Sequence, residues 1–279
     1  MQTLKVGLIS ILIMCCFFAH GQARTIECKN KSNVFTYGEK VDYTIYCNWG
    51  AMWVAAGSVT FRVDSTAINS KPFFKISGVG QTFKKYDWLY KVRDNYEVIA
   101  EVAPFRPIRF KRDVKEGSNE IYEDYVFNHK SGKVITLRKP DKKSELQKDT
   151  VNFSKCAFDV LSMIYHARNI DYSGLKVNDV IPITIFLDNE EHSSYIRFLG
   201  REELEVKGMG VFRTIKFKPL LIEGTIFNAG EDMTVWVTDD ADKIPLLIDT
   251  PILVGSIKAR VNGIEGKNLQ LKSKIRDLE

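Results

Sequence analysis

The chain lacks the sequence signatures of most enzyme classes. It has no Gly-x-Ser-x-Gly elbow and no glycine-rich loop after a predicted strand, so it gives no support to a serine hydrolase or a nucleotide-binding fold. Its four histidines show no pairing at zinc-ligand spacing, and the acidic turn at Asp239, Asp240 and Asp242 lacks the glycine and glutamate of a calcium loop. We therefore expect no catalytic residues, no metal and no cofactor.

Long apolar runs, internal repeats and an excess of one charge are also missing. Beyond the first two dozen residues, no stretch approaches the roughly 20 apolar residues that cross a hydrocarbon core. No repeat recurs at a period of about 20 to 50 residues, which argues against propellers and solenoids. The 40 basic and 35 acidic side chains are interleaved, so the net charge of +5 predicts no nucleic-acid-binding patch.

The first residues have the pattern of a secretory signal peptide. Lys5 precedes an apolar run over residues 6–18, and small residues follow at Ala19, Gly21 and Ala23. Because this run is too short to stay as a membrane anchor, we predict that residues 1–23 are cleaved. The mature chain is then predicted to be a single exported domain over residues 24–279.

Three cysteines remain in the predicted mature chain, and an exported protein can form disulfides. Cys28 lies just before the first predicted strand and Cys47 lies near its end. We therefore predict a disulfide between Cys28 and Cys47. Cys156 opens an apolar segment and is predicted to be a buried thiol.

Alternating apolar and polar residues predict antiparallel strands from residue 40 onward. Val59, Phe61 and Val63, for example, should face one side of a strand. Further strands are predicted at residues 95–102, 108–114, 120–128, 133–138, 180–187, 192–198, 204–206, 211–221, 233–237, 244–248 and 252–261. About a dozen strands with few helices require a sheet that curls or closes.

Two segments depart from this alternation. Residues 82–92 carry aromatic side chains at helical spacing and predict a short helix. Ser154, a good N-cap, precedes a second predicted helix at residues 155–169, which must be buried because it is apolar around most of its circumference. The predicted fold is therefore mainly β, a large curved antiparallel sheet (an unclosed β-barrel) wrapped around one buried apolar helix. Residues 139–148 are predicted to be an exposed crossover between two halves of the sheet, and a two-domain division near residue 145 is the alternative.

Aromatic side chains are concentrated in the first third of the mature chain. One interpretation is that they fill a wide sheet. The other is that they help to form a concave cavity beside the helix, where a lipid tail or hydrophobic peptide binds. The second interpretation predicts ligand contacts at Trp49, Trp53, Trp88, Phe158, Leu161 and Tyr165.

A series of short segments in a fixed order is the most specific pattern in the chain. The segments are Gly38-Glu39-Lys40, Asn48-Trp49-Gly50, Tyr90-Lys91-Val92-Arg93-Asp94, Arg109-Phe110-Lys111-Arg112-Asp113, Asp159-Val160-Leu161-Ser162, Tyr165-His166-Ala167-Arg168, Val237-Thr238-Asp239-Asp240 and Gly255-Ser256-Ile257-Lys258-Ala259. Over about residues 36–262 this pattern resembles an exported bacterial family known as domain of unknown function 3108. The resemblance implies the periplasm of a Gram-negative bacterium and transfers no catalytic residue. A looser likeness of architecture is to the periplasmic carriers that move lipoproteins, and a fold likeness alone does not establish function.

The leading hypothesis is a non-enzymatic periplasmic protein that holds a lipid, an acyl chain or another apolar partner beside the long helix. The alternative is an envelope scaffold whose barrel is filled by its own side chains and whose surface binds an envelope protein. Neither hypothesis involves nucleic acid or a membrane span in the mature chain.

Overall fold

The computed structural model describes residues 33–49, 52–222, 229–252, 255–267 and 269–278. The predicted signal peptide and Cys28 lie outside the described residues. Among the helices that are described, none has the length and apolarity needed to cross a bilayer.

The alternating sequence forms strands along nearly the whole described chain. They are β1 (Glu39–Trp49), β2 (Met52–Ile68), β3 (Lys71–Thr82), β4 (Arg93–Glu101), β5 (Arg106–Glu116), β6 (Asn119–Asn128), β7 (Lys133–Lys139), β8 (Gln147–Asn152), β9 (Ala157–Phe158), β10 (Val180–Leu187), β11 (Glu190–Val206), β12 (Gly210–Pro219), β13 (Thr234–Thr238), β14 (Pro245–Pro251), β15 (Ser256–Glu265) and β16 (Lys274–Arg276). Neighbouring strands pair antiparallel, except that β9 runs parallel to β10.

All of these strands belong to one sheet. Its order is β8-β7-β6-β5-β4-β3-β2-β1-β15-β14-β13-β12-β11-β10-β9, and β16 pairs with β12. The pairing of β1 with β15 joins the first and second series of strands into a continuous wall. In the described part of the chain no backbone ladder joins the two ends of this path, β8 and β9, so the predicted unclosed antiparallel barrel is confirmed.

The helix α1 (Val160–Asn169) lies inside the curved sheet. It begins after Asp159, whose carboxylate accepts hydrogen bonds from the backbone N–H groups of Leu161 and Ser162, both at 2.9 Å. The predicted start at residue 155 is wrong, because Ala157–Phe158 joins the sheet as β9 and the buried aspartate supplies the cap. The predicted enclosure of the helix is confirmed, since most of its side chains are buried.

The predicted helix at residues 82–92 is also wrong, because this segment holds only a short 3-10 turn, Lys84–Tyr86. Arg93 donates to both carboxylate oxygens of Asp87, at 3.1 and 2.5 Å, and the Thr82 hydroxyl donates to the same group at 2.7 Å. These side-chain contacts fold the segment into a compact loop between β3 and β4.

The crossover predicted at residues 139–148 is shorter in the structure than the sequence predicts. Strand β7 extends to Lys139 and β8 begins at Gln147, so the connection is limited to residues 140–146. Strand β8 is an edge strand with a mostly exposed, polar sequence, which is why alternation did not reveal it.

Side chains bridge the gap between the two edges of the sheet, which we call the seam. Glu123 of β6 lies 2.6 Å from the guanidinium groups of Arg112 on β5 and Arg138 on β7. Both arginines reach across to Asp188 in the β10–β11 turn, at 2.9 and 2.6 Å. The seam is thus crossed by ion pairs where the rest of the wall has backbone hydrogen bonds.

One part of the barrel interior, enclosed by β2 to β7 and one face of α1, is filled by its own side chains. We call it the filled half. Phe35 is at its centre, with ring centroids 5.1 Å from Phe74, 5.2 Å from Phe105 and 4.9 Å from Tyr165. Such close, tilted and edge-to-face aromatic packing leaves little room for a ligand.

The two described cysteines differ from the predicted arrangement. Cys47 carries a free thiol, so the predicted Cys28–Cys47 disulfide is wrong. Its cross-strand neighbours are Val54 and Ile257, and half-burial among such neighbours raises the pKa of the thiol. Cys156, predicted to be a buried thiol, is disulfide-bonded, and its partner lies outside the described residues.

Candidate ligand-binding cavity

The rest of the barrel interior holds two further groups of buried apolar side chains, and part of it is hollow. A cavity of about 350 Å³ lies between α1 and the wall formed by β11 to β15, β1 and β2, which we call the hollow half. Its lining is almost entirely apolar and includes Val59, Phe61, Met163, Ile164, Ala167, Ile196, Phe217, Val235, Val237, Ile248, Ile257 and Ala259.

Strand alternation explains why this wall is apolar. Register places Phe217 opposite Val235, Val235 opposite Ile248, and Ile248 opposite Ala259, in one row across β12 to β15. Because successive side chains of a strand point to opposite faces, each strand contributes every second residue to the interior. The small Ala259 in this row leaves space that a larger side chain would fill.

A buried ion pair lies at one end of the cavity. Arg168, near the end of α1, donates to both carboxylate oxygens of Glu39, at 2.5 and 2.9 Å. The same guanidinium donates to the Asp242 carbonyl at 3.2 and 2.9 Å. The Arg168 and Glu39 side chains are only 3% and 1% exposed, so each charge depends on the other for compensation.

Two other polar side chains of the lining, Tyr43 and Thr250, also form hydrogen bonds. The Tyr43 hydroxyl donates to the Pro245 carbonyl at 2.8 Å, and burial raises the pKa of Tyr43, which keeps it protonated as a donor. The Thr250 hydroxyl donates to the Pro251 carbonyl at 3.0 Å. In the described part of the chain no carboxylate, imidazole or thiol lines the cavity, which therefore presents mainly hydrocarbon to an occupant.

Chain segments close the barrel beyond this ion pair. The Asp242 carboxylate accepts from the backbone N–H groups of Gln270 and Leu271 at 3.0 and 3.1 Å, and Asp240 accepts from that of Ser273 at 3.0 Å. The acidic β13–β14 turn thus anchors the segment that leads into β16. Among the described residues, no group of three or more His, Cys, Asp or Glu side chains is arranged to hold a metal ion.

The opposite end of the cavity faces the strand connections. In the order β1-β15-β14-β13-β12, strands β1, β14 and β12 alternate with antiparallel neighbours and therefore run in the same direction. Since β1 begins at the Glu39 ion pair, all three strands run towards the opposite end of the cavity. Pro219, Ile257 and Met233 line the cavity close to the ends of their strands. The described ends of β1, β12 and β14 and the starts of β2, β13 and β15 therefore lie at this end of the cavity, which we call the mouth.

The structure places the sequence-predicted ligand residues in different surroundings. Tyr165 lines the cavity, whereas Phe158 and Leu161 are buried in the filled half. Trp53 is half-exposed on the β1–β2 hairpin with the Lys258 ammonium 4.4 Å from its ring centroid, and Trp88 is 80% exposed on the β3–β4 loop. The side chain of Trp49 lies outside the described part of the structure.

Sequence reasoning missed the aliphatic wall of β12 to β15. The available signal was the alternation in the second series of strands, because Val235 and Val237 are two residues apart in the predicted strand at residues 233–237 and so share one face. What alternation does not show is the unfilled volume, since this depends on the summed size of side chains from many strands.

Comparisons with known proteins agree with this architecture. The family model described as "Protein of unknown function (DUF3108)" matches residues 42–262. A crystal structure of a beta-barrel-like protein of domain of unknown function DUF1849 from Brucella abortus is similar, with a TM-score of 0.52 and 8% sequence identity. The match covers 82% of this chain and 98% of that one, and at such low identity it supports the fold alone. No curated protein matches the chain.

Proposed function

The chain belongs to the family described as protein of unknown function DUF3108, and we propose that it is a non-enzymatic envelope protein that carries a lipid, an acyl chain or another apolar ligand. The observation that carries this proposal is the hollow half, where an apolar cavity separates α1 from β11 to β15. The family itself assigns no function.

The cavity is large enough to matter for stability. At about 24 cal/mol per Å³, a closed void of about 350 Å³ would cost about 8 kcal/mol, as an upper limit because this cavity is partly open. The net stability of a whole domain is about 5–15 kcal/mol. An apolar occupant recovers part of this loss by restoring dispersion contacts, whereas water does so poorly beside a hydrocarbon wall.

The lining also restricts the chemistry of the occupant. Arg168 is neutralised by Glu39, and the hydroxyls of Tyr43 and Thr250 donate to carbonyls. A charged group inserted there would lose its hydration and be surrounded almost entirely by hydrocarbon. The cavity therefore suits a hydrocarbon chain, with any polar headgroup left at the mouth.

The proposed location is the periplasm of a Gram-negative bacterium. The signal-peptide pattern of residues 1–23 supports export, and the disulfide at Cys156 is consistent with an oxidising compartment.

The test is to fill the cavity and measure binding of a fluorescent fatty-acid analogue. Ala259→Trp places a large side chain inside, and Ile248→Phe is a smaller second variant in case the first folds poorly. Ala67→Trp, on an exposed position of β2, is the matched control. We expect wild type and the control to bind, and both cavity variants to lose at least about tenfold in affinity, a change of about 1.4 kcal/mol.

Native mass spectrometry of gently purified protein provides the second measurement. Wild type should retain lipid that Ala259→Trp releases. If wild type is repeatedly free of lipid and has no affinity for the analogue, the proposal is wrong.

The alternative of a self-filled scaffold fits the aromatic packing around Phe35 but not the hollow half. Crosslinking in whole cells separates the two functions, because a scaffold should give one dominant protein partner even when the cavity is filled by Ala259→Trp.

A further inference from the structure

Exposed apolar side chains are concentrated on two neighbouring connections. Met52 and Trp53 of the β1–β2 hairpin are 69% and 39% exposed, and Trp88 and Leu89 of the β3–β4 loop are 80% and 48% exposed. The two connections are adjacent, since Phe83 N–H donates to the Ala56 carbonyl at 2.8 Å. Exposed tryptophan and leucine grouped in this way mark an interaction surface.

Hydrogen bonds and an ion pair fix the loop that carries the exposed side chains of Trp88 and Leu89. The Asp87 carboxylate, directly before Trp88, is fixed by the Arg93 guanidinium and the Thr82 hydroxyl. Behind the loop, Gly117 N–H donates to the Lys91 carbonyl at 2.8 Å. Because both sides of the loop are tied down, the indole of Trp88 projects outwards as part of an ordered structure.

The same loop is basic. Lys84, Lys85 and Lys91 are exposed and, within the described residues, form no ion pair. The acidic side chain of the loop, Asp87, is neutralised by Arg93 at 2.5 Å. Lysines around exposed tryptophan are the combination that favours an anionic bilayer surface, where each lysine contributes about 1 kcal/mol.

These side chains lie at the same end of the barrel as the mouth of the cavity. Strand β3 runs towards the same end as β1, and Thr82, where β3 ends, pairs with Gly57 in the mouth-side part of β2. We define the rim patch as Met52, Trp53, Trp88 and Leu89 together with Lys84, Lys85 and Lys91.

We propose that the rim patch docks the protein on the surface of an anionic phospholipid bilayer, with Trp88 and Leu89 inserted at the headgroup level and the lysines against lipid phosphates. This inference rests on the proposed function for the role of docking. Docking brings the cavity mouth to the membrane from which an acyl chain is taken or to which it is delivered. The binding of the rim patch to a bilayer rests on the exposed side chains and their charge.

Vesicle co-sedimentation at low salt tests the proposal. We expect binding to vesicles of phosphatidylcholine mixed with phosphatidylglycerol, and much weaker binding to phosphatidylcholine alone. Lys84→Glu with Lys85→Glu should weaken binding to the anionic vesicles roughly thirtyfold or more, from the loss of two lysines at about 1 kcal/mol each. Trp88→Ala with Leu89→Ala should also lower it, by about tenfold or more.

A matched control separates the rim patch from net charge. Lys71→Glu with Lys130→Glu makes the same charge change on exposed turns at the opposite end of the barrel, β2–β3 and β6–β7. This variant should bind the anionic vesicles nearly as wild type does. The proposal is overturned if the rim variant and this control variant lose vesicle binding equally, or if wild type does not bind the anionic vesicles.

Two further readouts distinguish the docking surface from the cavity. Rim variants should keep the wild-type affinity for a free fatty-acid analogue, whereas Ala259→Trp should lose that affinity and keep vesicle binding. Vesicle binding without fatty-acid binding would retain the docking surface and reject the carrier. If Trp88→Ala with Leu89→Ala abolishes self-association seen by sedimentation velocity and leaves vesicle binding intact, the patch is an interface between protein copies and the proposal fails.

Discussion

The buried pair of Arg168 and Glu39 gives the sharpest test of how this fold is held together. It joins the start of β1, the end of α1 and the β13–β14 turn. Glu39→Leu leaves the guanidinium buried with only a backbone carbonyl as partner. Since removing one partner of a buried ion pair costs about 3–5 kcal/mol, we expect Glu39→Leu to lower the free energy of unfolding by that amount.

Urea denaturation followed by circular dichroism measures this change as a shift in midpoint at constant slope. Arg168→Met should cost a similar amount, because it strands the Glu39 carboxylate. The double variant carries no buried charge and should recover most of the loss, since apolar residues of similar volume often replace such a pair without penalty.

A surface pair provides the control. Lys75 and Glu97 lie 2.8 Å apart with side chains 42% and 37% exposed, so Glu97→Leu should change stability by less than about 1 kcal/mol. A loss below about 1 kcal/mol for Glu39→Leu, or a double variant no more stable than either single variant, would refute the reasoning.

Three other predictions concern α1. Asp159→Ala removes the acceptor of two backbone N–H groups and of the Ser162 hydroxyl, and should lower the unfolding free energy by about 1–2 kcal/mol in the same urea assay. Leu161→Asp buries a carboxylate in the filled half and should cost several kcal/mol; soluble protein with near-normal melting would contradict this. Burial lowers the pKa of His166 from 6.5 to about 4. Between these pH values the unfolded chain binds a proton at His166 and the folded chain does not, so the unfolding free energy should fall by about 3 kcal/mol as the pH drops from about 6.5 to 4. His166→Leu should remove this fall in stability. Burial raises the pKa of Asp159 to about 6, which gives a pH dependence of the opposite sign in both proteins. The difference between the stability curves of wild type and His166→Leu therefore isolates the contribution of His166.

Local patterns predicted the elements that depend on local chemistry. Strand β10 has the predicted bounds, because its apolar sequence ends at Asp188 and Asn189, which adopt the left-handed conformation of a tight turn at φ 54° and 67°. Two predicted strands, 192–198 and 204–206, are one strand, β11, interrupted by a register shift at Gly200 with φ 111°. A glycine there permits the irregularity without ending the strand.

The errors arise where side-chain contacts and packing, which residue spacing does not show, decide the structure. The aromatic spacing of residues 82–92 gave no sign that Arg93 would hold Asp87 in a loop. The sequence predicts an apolar cavity beside the helix, but of its six predicted ligand residues the structure shows only Tyr165 in the lining, and the Trp49 side chain lies outside the described part. Which part of the barrel is filled depends on how the volumes of Phe35 and its neighbours add up across strands that are distant in sequence.

Side chains hold the seam together, whereas backbone hydrogen bonds join neighbouring strands in the rest of the barrel wall. Elsewhere, widening the wall breaks rows of backbone hydrogen bonds, but at the seam it separates Asp188, 48% exposed, from Arg112 and Arg138. Buried groups take part as well, since the Arg112 and Arg138 side chains are only 12% and 14% exposed and the Phe186 ring lies 5.4 Å from that of Tyr125. A ligand that widened the barrel would therefore act first on these side-chain contacts, because no backbone ladder joins β8 to β9 in the described residues.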